Sequence, residues 1–131
     1  MKIQMSLLVI FVLMASSYAA LYSDVRFLVS ETGEVEITGN TNYEPFAGTT
    51  QQLTSKEGNY WVLNITAPVF EEFIYHIQLP KYATINYIKA NSAVRIEDND
   101  GTLTITSTGS QKPIEVVIQY SIGKAQASAI F

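Results

Sequence analysis

The amino-acid sequence predicts an all-β protein, an antiparallel β-sandwich of about seven to nine strands behind an amino-terminal signal helix. After residue 20, apolar and polar side chains alternate repeatedly with a period of two, whereas helical spacing of apolar residues is rare. Turn residues interrupt these alternating runs every ~8 to 12 residues, which is the spacing of short strands in a sandwich. Helical and mixed folds fit the pattern less well.

The chain begins with the layout of a secretory signal peptide. Lys2 precedes an apolar run over residues 7–14, and small residues follow that run. Ser17 and Ala19 suit the small pockets of signal peptidase, so we predict cleavage after Ala19 and one mature domain over residues 20–131. The alternative is an uncleaved short anchor, although its apolar segment has fewer than the ~20 residues that a spanning helix needs. Both alternatives make the protein extracytoplasmic, either secreted or at the cell surface.

The first two strands are predicted as a hairpin. Two alternating runs, residues 22–29 and a second one from residue 34, flank the turn sequence of residues 31–34. The next stretch, residues 39–54, is rich in Asn, Thr, Gly and Gln, and we predict a long loop with at most one short edge strand. The inward residues of the hairpin are Val25, Phe27, Val29, Val35 and Ile37.

Two strands are predicted in the middle of the chain. Residues 56–59 form a turn, and the strand 60–65 follows with Trp61 on its core face. A second strand covers residues 70–79 and ends at Pro80, because proline cannot donate to a sheet ladder.

Four further strands are predicted over residues 84–90, 93–97, 102–107 and 113–122. The second and third of these are joined at Asp100-Gly101, a dipeptide that favours the positive φ angles of a hairpin turn. The last strand has the longest uninterrupted alternation, so we predict that it is central in the sheet.

Composition excludes several classes of function. The chain has no cysteine, so it lacks disulfides, and its single histidine excludes a structural zinc site. Loss of residues 1–19 removes Lys2 and no acid, so the formal charge moves from −4 to −5. Nucleic acid is therefore not expected as a partner, because phosphate binding needs a basic face. No cofactor and no metal are predicted.

No catalytic arrangement emerges from the sequence. His76 is predicted on the less buried face of its strand, and no nucleophile motif accompanies it. Glu71 and Glu72 are neighbours on a strand, so they point to opposite faces and cannot flank one bond. Residues 98–101 resemble the start of a calcium loop but lack the later acidic ligand, which favours a turn. We therefore predict that the protein is not an enzyme.

Three residues are candidates for contact or modification. Asn64 begins the sequon Asn64-Ile65-Thr66 and alternates with core residues, so it is a candidate for N-glycosylation. Tyr43 and Phe46 lie in the long loop and are the binding candidates, since aromatic rings offer rigid contact area. Trp61 is interpreted as a core anchor.

The strand patterns also carry a family resemblance. The relevant segments are the strand with Trp61, the stop at Leu79-Pro80, and three later strand sequences: Ile85-Asn86-Tyr87-Ile88, Gly101-Thr102-Leu103-Thr104-Ile105 and Val117-Ile118-Gln119-Tyr120. Over residues 24–122 the chain resembles exported β-domains of uncharacterised archaeal membrane proteins. Some of these precede a transmembrane helix and a cytoplasmic winged-helix domain. The present sequence shows neither, so the resemblance implies a fold and no signalling role.

The leading hypothesis is a non-catalytic secreted or cell-surface module that binds a protein or glycan partner, or that assembles. A membrane is expected as a partner only through an uncleaved amino-terminal segment. The first alternative is a filament or surface-layer subunit, in which an edge strand such as 22–29 or 123–131 pairs with a neighbouring copy. The second alternative is a hydrolase acting on glycans, which requires the fold to bring together Tyr43, Trp61, Glu72 and His76.

Overall fold

The structure is a computed structural model, and it describes residues 20–123 of the chain. Every regular element in this range is a β-strand, so the all-β prediction is confirmed. No helix that is long and apolar enough to cross a membrane occurs in this part. The predicted signal peptide, with its cleavage at Ala19, and residues 124–131 lie outside the described residues.

The described part contains eight strands in one mixed sheet, a number within the predicted range. The path through the sheet is β3-β2-β1-β5-β8-β6, while β4 pairs with β5 and β7 pairs with β8. In chain order the strands are β1 (Tyr22–Val29), β2 (Val35–Thr41), β3 (Gly48–Thr50), β4 (Thr54–Glu57), β5 (Tyr60–Gln78), β6 (Ala83–Ala90), β7 (Val94–Asn99) and β8 (Thr102–Ile122).

The prediction of a purely antiparallel sheet is wrong at one pairing. β1 runs parallel to the second part of β5, with Tyr22 opposite Glu72 and Leu28 opposite Gln78. The cause is the length of β5, which pairs first with β4 and then continues beside β1 in the same direction. β1 is therefore flanked by β2 and β5. It is an interior strand and not the free edge that the filament hypothesis assumed.

β5 and β8 are each one long strand of 19 and 21 residues, where the sequence predicts two. Their common ladder shifts register between Ala67 and Phe70, and Pro68 lies in that irregularity. Pro113 also has no partner in the ladders on either side of β8. A proline interrupts a strand only where the ladder needs the N–H group that proline lacks. Neither Pro68 nor Pro113 has a ladder partner, so both strands continue through their prolines.

Asn91 bridges the break between β6 and β7 opposite Pro113. Its side-chain amide donates to the carbonyl oxygen of Pro113 at 2.8 Å and its side-chain oxygen accepts from Glu115 N–H at 3.2 Å. Its own N–H donates to the Glu115 carbonyl oxygen at 3.1 Å. One asparagine thus satisfies backbone groups that a continuous ladder would otherwise pair.

The remaining turns agree with the sequence except at β4. The predicted turn over residues 56–59 is shorter, because β4 continues to Glu57 and leaves Gly58 and Asn59 as the turn. The turn between β7 and β8 has φ angles of 55° at Asp100 and 89° at Gly101, as the Asp-Gly step predicts.

The inward side chains form one hydrophobic cluster that draws on β1, β2, β5, β6 and β8. An aromatic group lies within or against it where β5 changes register. Phe70 is fully buried there, and its ring centroid lies 5.5 Å from that of Tyr43 and 6.0 Å from that of Phe46. The other rings of the group are Phe27, Phe73 and Tyr75.

Tyr120 on β8 is fully buried, and among residues 20–123 its hydroxyl has no hydrogen-bond partner. An unpaired buried hydroxyl costs about 1–3 kcal/mol of desolvation. Replacing Tyr120 with phenylalanine should therefore raise the free energy of unfolding by about 1 kcal/mol and the melting temperature by about 4–8 °C. Thermal unfolding at neutral pH measures this. Tyr87→Phe is the control, because Tyr87 is 52% exposed.

The burial of Tyr120 also predicts that the folded state loses stability at alkaline pH. Burial raises the pKa of Tyr120 from 10.0 to about 12, so the folded state retains a proton that the unfolded state releases. The wild-type protein therefore has its full stability below about pH 10 and loses part of it as the pH rises through about 12. Tyr120→Phe should become more stable relative to the wild type over that range. An unchanged difference across it would contradict the assignment.

Candidate functional site

A shallow groove of about 720 Å³ crosses β2, β1, β5 and β8. Its outward-facing polar and aromatic lining consists of Tyr22, Asp24, Asn40, Glu72, Thr108 and Ser110. Ile74, which is half-buried, lies among them. We call this feature the β1/β5 groove.

Strand register brings these residues together. Ile74 lies opposite Asp24 on one side and Thr108 on the other, and Asn40 lies opposite Asp24 in turn. The next row holds Tyr22, Glu72 and Ser110. Because side chains alternate along a strand, residues two apart on β1, β5 and β8 share the face away from the core. The parallel pairing of β1 with β5 is what places Tyr22 beside Glu72.

The start of β1 is held in place by hydrogen bonds. The Tyr22 N–H donates to the side-chain oxygen of Asn42 at 2.8 Å, and the Thr41 hydroxyl donates to the Tyr22 carbonyl oxygen at 2.8 Å. The Glu71 N–H donates to the carbonyl oxygen of Leu21, also at 2.8 Å. The backbone that carries the Tyr22 ring is therefore fixed on both sides, while the ring itself is 51% exposed.

The groove has the chemistry of a binding surface. The exposed Tyr22 ring and the Ile74 side chain provide apolar area. Around them, the carboxylates of Asp24 and Glu72 accept hydrogen bonds, and the Asn40 amide and the Thr108 hydroxyl both donate and accept. The Ser110 hydroxyl donates to the Glu71 carbonyl oxygen at 3.3 Å, so it offers an acceptor. Pockets of about 300–1,000 Å³ that combine apolar area with a few polar groups are the usual form of ligand sites.

Tyr43 and Phe46, the binding candidates from the sequence, lie elsewhere. Phe46 is 6% exposed, and its ring packs edge-on against Phe27 at 5.2 Å and Tyr43 at 4.9 Å. Tyr43 is half-buried against the same cluster. Neither residue lines the β1/β5 groove, because both rings fold back onto the core, where they bury more apolar area.

The four residues of the hydrolase alternative are not brought together. Glu72 and His76 share a face of β5 but are four residues apart, which is about 13 Å along a strand. The Nδ1 atom of His76 lies 3.0 Å from the Thr106 hydroxyl oxygen. Tyr43 lies in the aromatic group, and Trp61 packs against the turn at Gly33.

Asn64 lies on the outward side of the first part of β5 and is exposed, as is Thr66. Both line a second concavity of about 310 Å³ together with Lys89, Asn91 and Glu115. This placement leaves the sequon at the surface, and its glycosylation stays a prediction. Within residues 20–123, no group of three or more His, Asp or Glu side chains is placed to hold a metal ion.

No protein-family model, no curated protein and no solved structure matches this chain. The function is therefore inferred from the geometry of the β1/β5 groove. Sequence reasoning missed the groove because its rows form only when β1 pairs with β5, about 50 residues further along the chain. The available signal was the outward position of Asp24 and Glu72 in their alternating runs, which marks them as exposed but does not make them neighbours.

Proposed function

We propose that this protein is a non-catalytic binding module of the cell exterior, and that the β1/β5 groove takes an uncharged, hydroxyl-rich glycan. The observation that supports the proposal best is the union, in one open groove, of an exposed tyrosine ring with two carboxylates, an amide and two hydroxyls. The extracytoplasmic location follows from the predicted signal peptide.

Both the apolar faces and the hydroxyl groups of a sugar ring find matching groups in this groove. Its C–H faces pack on an aromatic ring, and Tyr22 offers such a ring with a fixed backbone. Its hydroxyls require acceptors and donors, which Asp24, Asn40 and Glu72 supply with the hydroxyls of Thr108 and Ser110. Carboxylate acceptors form the stronger, charge-assisted hydrogen bonds of the set.

Charge argues for an uncharged ligand. Asp24 and Glu72 both line the groove, and none of the described residues that line it is a lysine or an arginine. An anionic sugar or a phosphate would be repelled there, and the net charge of the chain, −4, has the same sign.

We also infer that the sheet is arranged as the two layers of a β-sandwich. The first layer holds β1, β2, β3 and β7 with the second part of β5 and the first part of β8. The second layer holds β4 and β6 with the first part of β5 and the second part of β8. The support is the single buried cluster, to which both parts of β5 and β8 contribute. A contact between the layers is the approach of Trp61 to the turn at Gly33. This arrangement leaves the groove on an outer face.

The test is a binding screen of protein expressed from the full-length sequence against uncharged oligosaccharides, followed by calorimetry on the best ligand. Tyr22→Ala should weaken binding about tenfold or more, which corresponds to about 1.4 kcal/mol. The matched control is Tyr87→Ala, because Tyr87 is equally exposed on β6, away from the groove. Asp24→Asn keeps the shape of the groove and tests the carboxylate.

Three outcomes would contradict the proposal. The first is the absence of binding to every uncharged glycan, and the second is an equal loss for Tyr22→Ala and Tyr87→Ala. The third is tighter binding of a cationic oligosaccharide than of any uncharged one, lost at high salt, because charge attraction to the two carboxylates would then dominate recognition.

A further inference from the structure

We propose that β7 is a dimer edge, which pairs antiparallel with β7 of a second copy about a two-fold axis at Ile96. Within residues 20–123, β8 is the sole strand that pairs with β7. The opposite edge of β7 therefore faces no described strand. Residues 95–99 are exposed, and Ile96 keeps 46% of its surface in contact with solvent. The proposal is independent of the glycan-binding function.

The free backbone groups of β7 follow from the hairpin. Asp100 and Gly101 form a two-residue turn, and Asn99 lies opposite Thr102 as the closing pair. In such a hairpin the closing pair is hydrogen-bonded, and this property alternates along the strands. Residues 95, 97 and 99 therefore direct their N–H and C=O groups toward β8, and residues 94, 96 and 98 direct theirs outward.

A hydrogen bond on β8 supports this assignment. The carbonyl oxygen of Leu103 accepts from the Leu79 N–H at 3.0 Å, so Leu103 points its backbone groups away from β7. Leu103 lies opposite Asp98, which therefore also points its backbone groups away from the hairpin. A second copy could thus form hydrogen bonds at positions 94, 96 and 98 without breaking the existing ladder.

The side chains specify one register. With Ile96 opposite the partner's Ile96, Arg95 lies opposite the partner's Glu97, and the two-fold axis repeats this pair. Opposite charges directly across an antiparallel pair are stabilising, and like charges are destabilising. The two nearest registers with the same hydrogen-bonding positions would put Arg95 opposite the partner's Arg95, or Glu97 opposite the partner's Glu97. The exposed isoleucines meet in the favoured register alone.

The other free edges lack this self-complementarity. β3 and β4 have three and four residues, too few for a stable ladder. β6 is longer, but its register with β8 shifts between Ile85 and Tyr87, and a bulge of this kind discourages edge pairing. β6 also has Lys89 without an acidic residue to oppose it. β7 contributes no residue to the lining of the β1/β5 groove, so a dimer leaves both grooves open.

The test is sedimentation of the full-length protein and of two charge-reversal variants, Arg95→Glu and Glu97→Arg. The wild type should dimerise with increasing concentration, and each variant alone should dimerise at least tenfold more weakly, because like charges then face each other. An equimolar mixture of the two variants should regain the dimer, since each variant complements the other. The double variant Arg95→Glu/Glu97→Arg should behave as the wild type.

Two control variants distinguish dimerisation through β7 from association that has another cause. Lys89→Glu and Glu36→Arg change the net charge by the same amounts at exposed positions outside β7, and both should leave the dimer unchanged. All variants share the same amino terminus, so association through residues 1–19 would be equal in all of them. A wild type that stays monomeric at every concentration would overturn the proposal. So would single variants that dimerise normally, or a mixture that fails to regain the dimer.

Discussion

Replacing Phe70 with alanine is expected to lower the free energy of unfolding by about 3–5 kcal/mol. Phe70 is fully buried and contacts three other aromatic rings at the point where β5 changes register. Alanine would remove that area and leave a cavity that two long strands cannot close by moving independently. A loss of this size is a large part of the ~5–15 kcal/mol that stabilises a typical domain.

Chemical denaturation measures this loss, with Trp61 as the single tryptophan reporter. The matched control is Val69→Ala, because Val69 is the neighbouring residue and is 59% exposed. The control should change stability by less than about 0.5 kcal/mol. Similar losses for the two variants would mean that Phe70 does not anchor the core.

Replacing Gly39 with alanine is expected to cost about 3 kcal/mol and to disturb the β1/β5 groove. Gly39 has a φ angle of +123°, which side-chain-bearing residues rarely adopt, and strain of this kind costs about 1–3 kcal/mol. A Cβ atom there would also clash with the carbonyl oxygen of Asp24, so the backbone of β1 would have to move. Overpacking adds about 1–3 kcal/mol.

Gly58→Ala is the control for the backbone strain alone. Gly58 has a φ angle of +66°, and a Cβ atom at that position would have no neighbouring atom within 4 Å. Thermal unfolding should show a clearly smaller loss for Gly58→Ala than for Gly39→Ala. Because Asp24 lines the groove, Gly39→Ala should also weaken ligand binding at temperatures where the protein stays folded. Equal destabilisation by the two changes would contradict the close contact between β1 and β2.

Local sequence patterns predicted most strands, since alternation and turn residues act within a few positions. β1 was predicted with its observed bounds, and the turn at Asp100-Gly101 has the expected positive φ angles. The errors lie around Pro68 and Pro113, where the sequence predicts gaps between strands 60–65 and 70–79 and between strands 102–107 and 113–122. A proline ends a strand only if its N–H is required, and the sequence does not reveal that both prolines fall where the ladder is irregular.

Long-range pairing could not be predicted from local patterns. The alternation in β1 is equally compatible with an edge strand and with an interior one, and nothing in it specifies a parallel neighbour in β5. The groove depends on this pairing, so its residues were individually expected at the surface but not grouped. For the same reason Tyr43 and Phe46 were selected from a loop, although their rings pack against the core.

The most direct test of the glycan-binding proposal is an NMR titration of the isotope-labelled protein with uncharged oligosaccharides. The proposal predicts saturable shifts of backbone amides at Tyr22, Asp24, Asn40, Glu72 and Thr108, and in Tyr22→Ala these shifts should require about tenfold more ligand or more to saturate. Shifts confined to the loop around Tyr43, to the concavity at Asn64 or to β7 would contradict it, as would no shift with any uncharged glycan.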